Sequence, residues 1–137
     1  MGAWGEGPFE ADQVVEWTPE LMQTGPQAGL DYIAVALSSV AEFPMDEYLE
    51  EDPAVLATAA AALLAASLGV PIERPASGKM LLSWVTWAQP TVSPELIELA
   101  KRALQRVLGP ESELGELWDE QGDSWRTSVT QLLCAFD

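Results

Sequence analysis

Apolar residues in this chain fall into helix-spaced stripes, and no convincing pair of alternating strands appears, which predicts helices rather than strands. Residues 54–68 read AVLATAAAALLAASL, with only Thr58 and Ser67 polar. Asp52-Pro53 before this stretch predicts an N-cap and a first-turn proline. Gly69 supplies a stop, with Pro71 just beyond. A helix apolar on every side belongs at the centre of a bundle, and eight alanines let its neighbours approach closely. Its fifteen residues fall short of the roughly 20 needed to span a bilayer.

Other helices are expected around it. Between Gly29 and Phe43 the stripe is Leu30, Ile33, Ala34, Leu37, Val40 and Ala41. Ser93-Pro94-Glu95-Leu96 is a helix start, and Gly109-Pro110 ends that helix. Its apolar face is Leu96, Ile97, Ala100, Ala103, Leu104, Val107 and Leu108. Lys101, Arg102, Gln105 and Arg106 are expected on its wet face, with Glu98 paired to Arg102. Ser112 should cap a short helix carrying Leu114, Leu117 and Trp118. Asp123 or Ser124 begins a last helix with Trp125, Val129, Leu132, Leu133 and Phe136 on one side. Residues 10–23 read as helical, with a Thr18-Pro19 start inside them. Residues 80–88, ambiguous between strand and helix, are assigned to a short helix by their helical surroundings. The run Gly69–Gly78 is the longest loop. The expected fold is all-α: a single domain, 1–137, of six or seven helices around residues 53–68.

Charge changes the picture. The 22 carboxylates outnumber the 6 bases, for a net −16, and no Lys or Arg precedes Arg74. Residues 1–73 hold thirteen acids and no base. Such a field repels nucleic acid phosphates and anionic membranes and attracts basic surfaces; it also serves simple solubility. With hydrophobic residues at 48%, a folded core is expected despite the charge.

Much chemistry is missing. The chain has no histidine, which removes Ser-His and Cys-His pairs and His-ligated metals. Cys134 is the sole cysteine, so no internal disulfide forms; its place on an apolar helix face predicts a buried, inert thiol. No phosphate-binding loop or calcium-loop pattern occurs. The N-terminus carries no basic stretch followed by an apolar one, so no secretory signal is read and a cytoplasmic location is expected. No cofactor is implied.

Carboxylates four apart, Asp12/Glu16, Glu16/Glu20, Asp46/Glu50 and Glu47/Glu51, would share a face on a helix and could do acid–base work or hold a cation. In so acidic a chain such spacings also arise by chance. The densest run is MDEYLEED, 45–52. It reads either as a solvated approach to the core helix, with Asp52 capping it, or as a docking surface for a basic partner. In the second reading Asp46, Glu47, Glu50 and Glu51 supply charge and Tyr48 the aromatic anchor. Of the six tryptophans, Trp17, Trp118 and Trp125 sit on apolar faces. Trp84 and Trp87 would form one ridge on a helix; we assign it to the core, and an exposed ridge would instead point to a homo-oligomer.

The opening MGAWGEGPF, with Asp12, Glu16 and Trp17 after it, resembles the start of the bacterial family catalogued as domain of unknown function 4259. Gly2, Trp4, Gly5, Gly7, Phe9, Asp12, Glu16 and Trp17 carry the likeness. So do Leu68-Gly69, the Ser93–Leu96 start running to Val107-Leu108-Gly109, Ser112–Leu114, Glu116–Trp118 and Trp125. Pro8, Glu10 and Glu16 depart mildly from the usual pattern. The resemblance implies a small, mostly helical bacterial protein and carries no assigned activity. By the residues alone, glycines let the opening segment pass close to the bundle while Trp4 and Phe9 bury their rings, an expected lid. The alternative is a pocket rimmed by Asp12, Glu16 and Trp17. Three function classes follow: an acidic protein-binding module, such as an immunity protein or an inhibitor of a basic partner; a carboxylate-based metal- or ligand-binding protein or enzyme; and a homo-oligomeric structural subunit.

Overall fold

The computed structural model describes residues 21, 23, 25–70, 79–120 and 122–136. All but residues 21 and 23 of the expected helix at 10–23, the glycine–aromatic opening and most of the 69–78 loop lie outside them. Among the described residues the fold is all-helical: α1 (Pro26–Ala41), α2 (Glu51–Ser67), α3 (Lys79–Ala88), α4 (Pro94–Leu108), α5 (Glu113–Asp119) and α6 (Ser124–Cys134). The ambiguous 80–88 stretch is helix α3.

Helix α2 is the hub, packing against each of the other five. From Ala57 to Ala65 every residue is buried, so it is surrounded on all sides. Its two hydroxyls stay satisfied there by turning back on the helix: Thr58 Oγ1 donates to the Ala54 carbonyl and Ser67 Oγ to that of Leu63, each at 2.8 Å. The helix ends in a Schellman turn, with Gly69 N–H on Ala66 O and Val70 N–H on Ala65 O, both 3.0 Å. Gly69 has φ +90°, which explains why glycine stands there.

The apolar stripe of α1 buries Leu30, Ile33, Leu37 and Val40 against α2 and α4. Helix α4 buries Ala100, Ala103, Leu104 and Val107 and packs on α1 and α2. Its start is as expected, Ser93 Oγ accepting from Leu96 N–H at 3.2 Å. Ser112 likewise caps α5 through Gly115 N–H at 3.3 Å. Trp118 and Trp125 are core residues.

Four expectations are corrected. Arg106, placed on the wet face of α4, is only 3% exposed. It flanks the buried stripe, three residues from Ala103, and the segments before α2 and after α4 close over it. Glu98 pairs with Lys101, at 3.9 Å, where Arg102 was expected. The tryptophan ridge is split: Trp84 is fully buried while Trp87 is 68% exposed, because Trp84 and Ala88, four apart, form the buried edge of α3. Cys134 is exposed. The buried line of the last segment is Trp125, Val129, Leu132 and Phe136, and a residue two beyond Leu132 turns to the opposite side.

Candidate functional site

The segment between α1 and α2 carries the acidic run, and it is held from below. Arg106 on α4 sends its guanidinium under this segment. Nη2 donates to the carbonyls of Glu47 (2.6 Å) and Pro44 (3.1 Å), and Nη1 to that of Pro110 (3.0 Å). The Glu111 carbonyl lies 3.4 Å from Nη1 and 3.5 Å from Nη2. The guanidinium carbon sits 5.5 Å from the centre of the Phe43 ring, a cation–π contact. Among the described residues no carboxylate forms an ion pair with Arg106, and its Nε is buried without a partner. A buried cation is costly unless hydrogen-bonded, and bonds to a charged group contribute about 1.5–3 kcal/mol each. Here main-chain oxygens meet that need, and the exposed acids above add a favourable field.

One of these carbonyls, that of Glu111, also helps to tie two distant segments together. Leu49 N–H donates to Glu111 O at 2.8 Å and Glu113 N–H to Leu49 O at 2.9 Å, with Leu49 fully buried between them. Leu49 and Ser112 form an isolated parallel bridge. Glu111 aims its carbonyl at both Leu49 and Arg106 from a left-handed backbone, φ +56°, a conformation that costs a non-glycine residue about 1–2 kcal/mol.

Helix α2 is capped from this second segment. Glu50 is its N-cap residue and makes no side-chain cap. The Glu113 carboxylate, 62 residues away, accepts Glu51 N–H at 2.7 Å instead. Asp52 is therefore a first-turn residue, which corrects the expected cap; its charge and that of Glu51 still favour the positive end of the helix.

Tyr48 stands on top. It is 43% exposed, and its hydroxyl donates a short hydrogen bond to Glu116 Oε2 on α5. That bond, then burial and the nearby charges of Glu116, Glu113 and Glu111, push the phenol up to about 12. Met45, three residues earlier in the chain, is 58% exposed. Asp46, Glu47, Glu50, Glu111 and Glu116 are exposed, while Glu51 and Glu113 are half-buried. Residues 46–50 form no helix, so Asp46/Glu50 and Glu47/Glu51 are not the helical pairs that their spacing suggested. The fold instead adds acids from 111–116 to those of 46–51, around one exposed aromatic. Sequence reading missed Arg106, Glu111, Glu113 and Glu116. No local pattern assigns them to this site, because each matters there through a partner about sixty residues away. Among the described residues no group of three or more Cys, Asp or Glu side chains is arranged to hold a metal ion.

A second arginine lies nearby. Arg126 on α6 donates to both carboxylate oxygens of Asp119, from Nε at 2.7 Å and Nη2 at 3.0 Å, and to Leu108 O at 2.8 Å. The guanidinium holds the Asp119 carboxyl below the usual carboxylate range. Gly115 lies close beneath it: a Cβ there would meet Arg126 Nη2 at 3.2 Å, so a larger residue would have to displace that guanidinium by a few tenths of an ångström.

Trp4, Gly5, Gly7, Phe9, Asp12, Glu16 and Trp17, the lid or pocket residues, lie outside the described residues. Among those described, no helix is long and apolar enough to cross a membrane.

A family model described as "Domain of unknown function (DUF4259)" matches residues 2–128. No curated protein matches, and no solved structure does.

Proposed function

We propose that this protein, which belongs to the DUF4259 family, is a non-enzymatic protein-binding module that docks a basic partner on the face around Tyr48. The observation that carries the reading is the gathering of two acidic segments, 46–51 and 111–116, around the exposed Tyr48, with the exposed Met45 three residues before it in the chain. Charge complementarity steers a cationic surface to such a face, and exposed aromatic and thioether groups supply short-range contact once it arrives. The thirteen acids and absence of any base in residues 1–73 extend the same field. The same charge disfavours nucleic acid as partner. An immunity protein or an inhibitor that covers a basic surface fits this reading.

The test is affinity capture from a lysate of the source organism at low salt, with wild-type and Met45→Ser/Tyr48→Ala baits run side by side. One basic protein released at a sharp, moderate salt step from the wild-type bait, and at least tenfold depleted on the double variant, is the expected result. A smear of generic basic proteins, identical on both baits, overturns the proposal and leaves the charge as a solubility device.

A further inference from the structure

We infer that Arg106 is a positioning residue that presets the Tyr48 face before any partner arrives. The inference rests on reading that face as a docking surface. Its test uses no partner, so the two can fail separately.

The geometry is specific. Arg106 holds the main chain on both sides of the junction, Pro44 and Glu47 in one segment and Pro110 and Glu111 in the other. Tyr48 sits directly between two anchored neighbours: Glu47, whose carbonyl is the nearest acceptor of Arg106, and Leu49, whose N–H and C=O bond to Glu111 and Glu113. With its backbone fixed on both sides, the phenol reaches Glu116 across 68 residues of sequence. Main-chain acceptors have a consequence that a carboxylate partner would not. An ion pair would consume one of the acids of the face, whereas carbonyls leave the exposed Asp46, Glu47, Glu50 and Glu111 carboxylates free of Arg106. The left-handed backbone of Glu111 fits the same picture, since it turns one carbonyl onto both Leu49 and Arg106. A face ordered in advance loses less entropy on binding than one that orders on contact.

The experiment follows Tyr48 itself. The chain has two tyrosines, so in a Tyr32→Phe background the ultraviolet titration of tyrosinate reports Tyr48 alone. With Arg106 intact the midpoint is expected at about 12. In Arg106→Gln and Arg106→Met, checked for native helix content by circular dichroism, it is expected to fall toward the ordinary 10.0 as the phenol leaves Glu116. A folded variant that keeps the wild-type midpoint overturns the inference, because a residue that only stabilises the fold would leave Tyr48 where it is. Should neither variant fold, hydrogen exchange of the wild-type protein decides. Leu49 and Glu113 amides that exchange as slowly as those inside α4 support a preset face. Amides that exchange at the rate of a free peptide overturn it.

Discussion

Arg106 and Arg126 stand on α4 and α6, and both donate to carbonyls at the C-terminal end of α4, Pro110 for one and Leu108 for the other. Beyond that they diverge. The Arg106 side chain is buried, and its hydrogen bonds among the described residues go to main-chain oxygens. The Arg126 side chain is 38% exposed and shares its charge with Asp119. The difference teaches what each cation contributes. One bound by carbonyls fixes where segments run and leaves neighbouring acids unneutralised. One bound by a carboxylate cancels a charge in water-accessible surroundings, where salt and solvent weaken the attraction.

The strongest way to break the comparison is to remove each cation. Arg106→Met is expected to lower unfolding stability by about 3 kcal/mol, since four carbonyls lose their donor together. Arg126→Met should cost no more than about 1 kcal/mol, and less in high salt. Urea unfolding of both, with and without added salt, checks this; equal losses would end the distinction.

Glu111 sharpens it next. Glu111→Gly removes the left-handed strain that the Arg106 region contains, and an increase of about 0.5–1 kcal/mol in stability is expected. A clear loss would mean that the Glu111 side chain, rather than its backbone, serves the junction.

The smallest effects lie at the pH extremes, where each region has its own limb. Asp119 has a depressed folded value, so its contribution is present above the unfolded 3.8 and is lost as pH falls through the folded value. Asp119→Asn should flatten that acid limb. Tyr48 has a raised value, so its contribution is present below 10.0 and is lost as pH rises through about 12. Tyr48→Phe should flatten the alkaline limb and leave the acid one unchanged. Thermal melts across both ranges test the assignment.

Much of the helical framework was legible in the sequence because it depends on neighbours three to six residues away. The stripe Leu30, Ile33, Leu37, Val40, the caps at Ser93 and Ser112, and the glycine stop after α2 are all of that kind. The family likeness was legible as well, through motifs spread along the chain. Half of the candidate site, the acids and tyrosine of 46–51, could be read from composition. The other half could not, because Glu111, Glu113 and Glu116 belong to it only through contacts across the fold.

Local periodicity and capping chemistry, then, determined by themselves that the described residues of this chain make an all-helical fold around an alanine-rich centre. Tertiary structure decided which flank of α4 was covered, and so turned Arg106 from an expected surface residue into a buried clamp. It also decided that Trp84 is buried while Trp87 is exposed, and that α2 takes its cap from Glu113. The physical reason is the same in each case. A helix pattern specifies angles around its own axis, but burial depends on what another segment brings to that angle. A main-chain carbonyl that captures a guanidinium belongs to any residue type and leaves no mark in sequence.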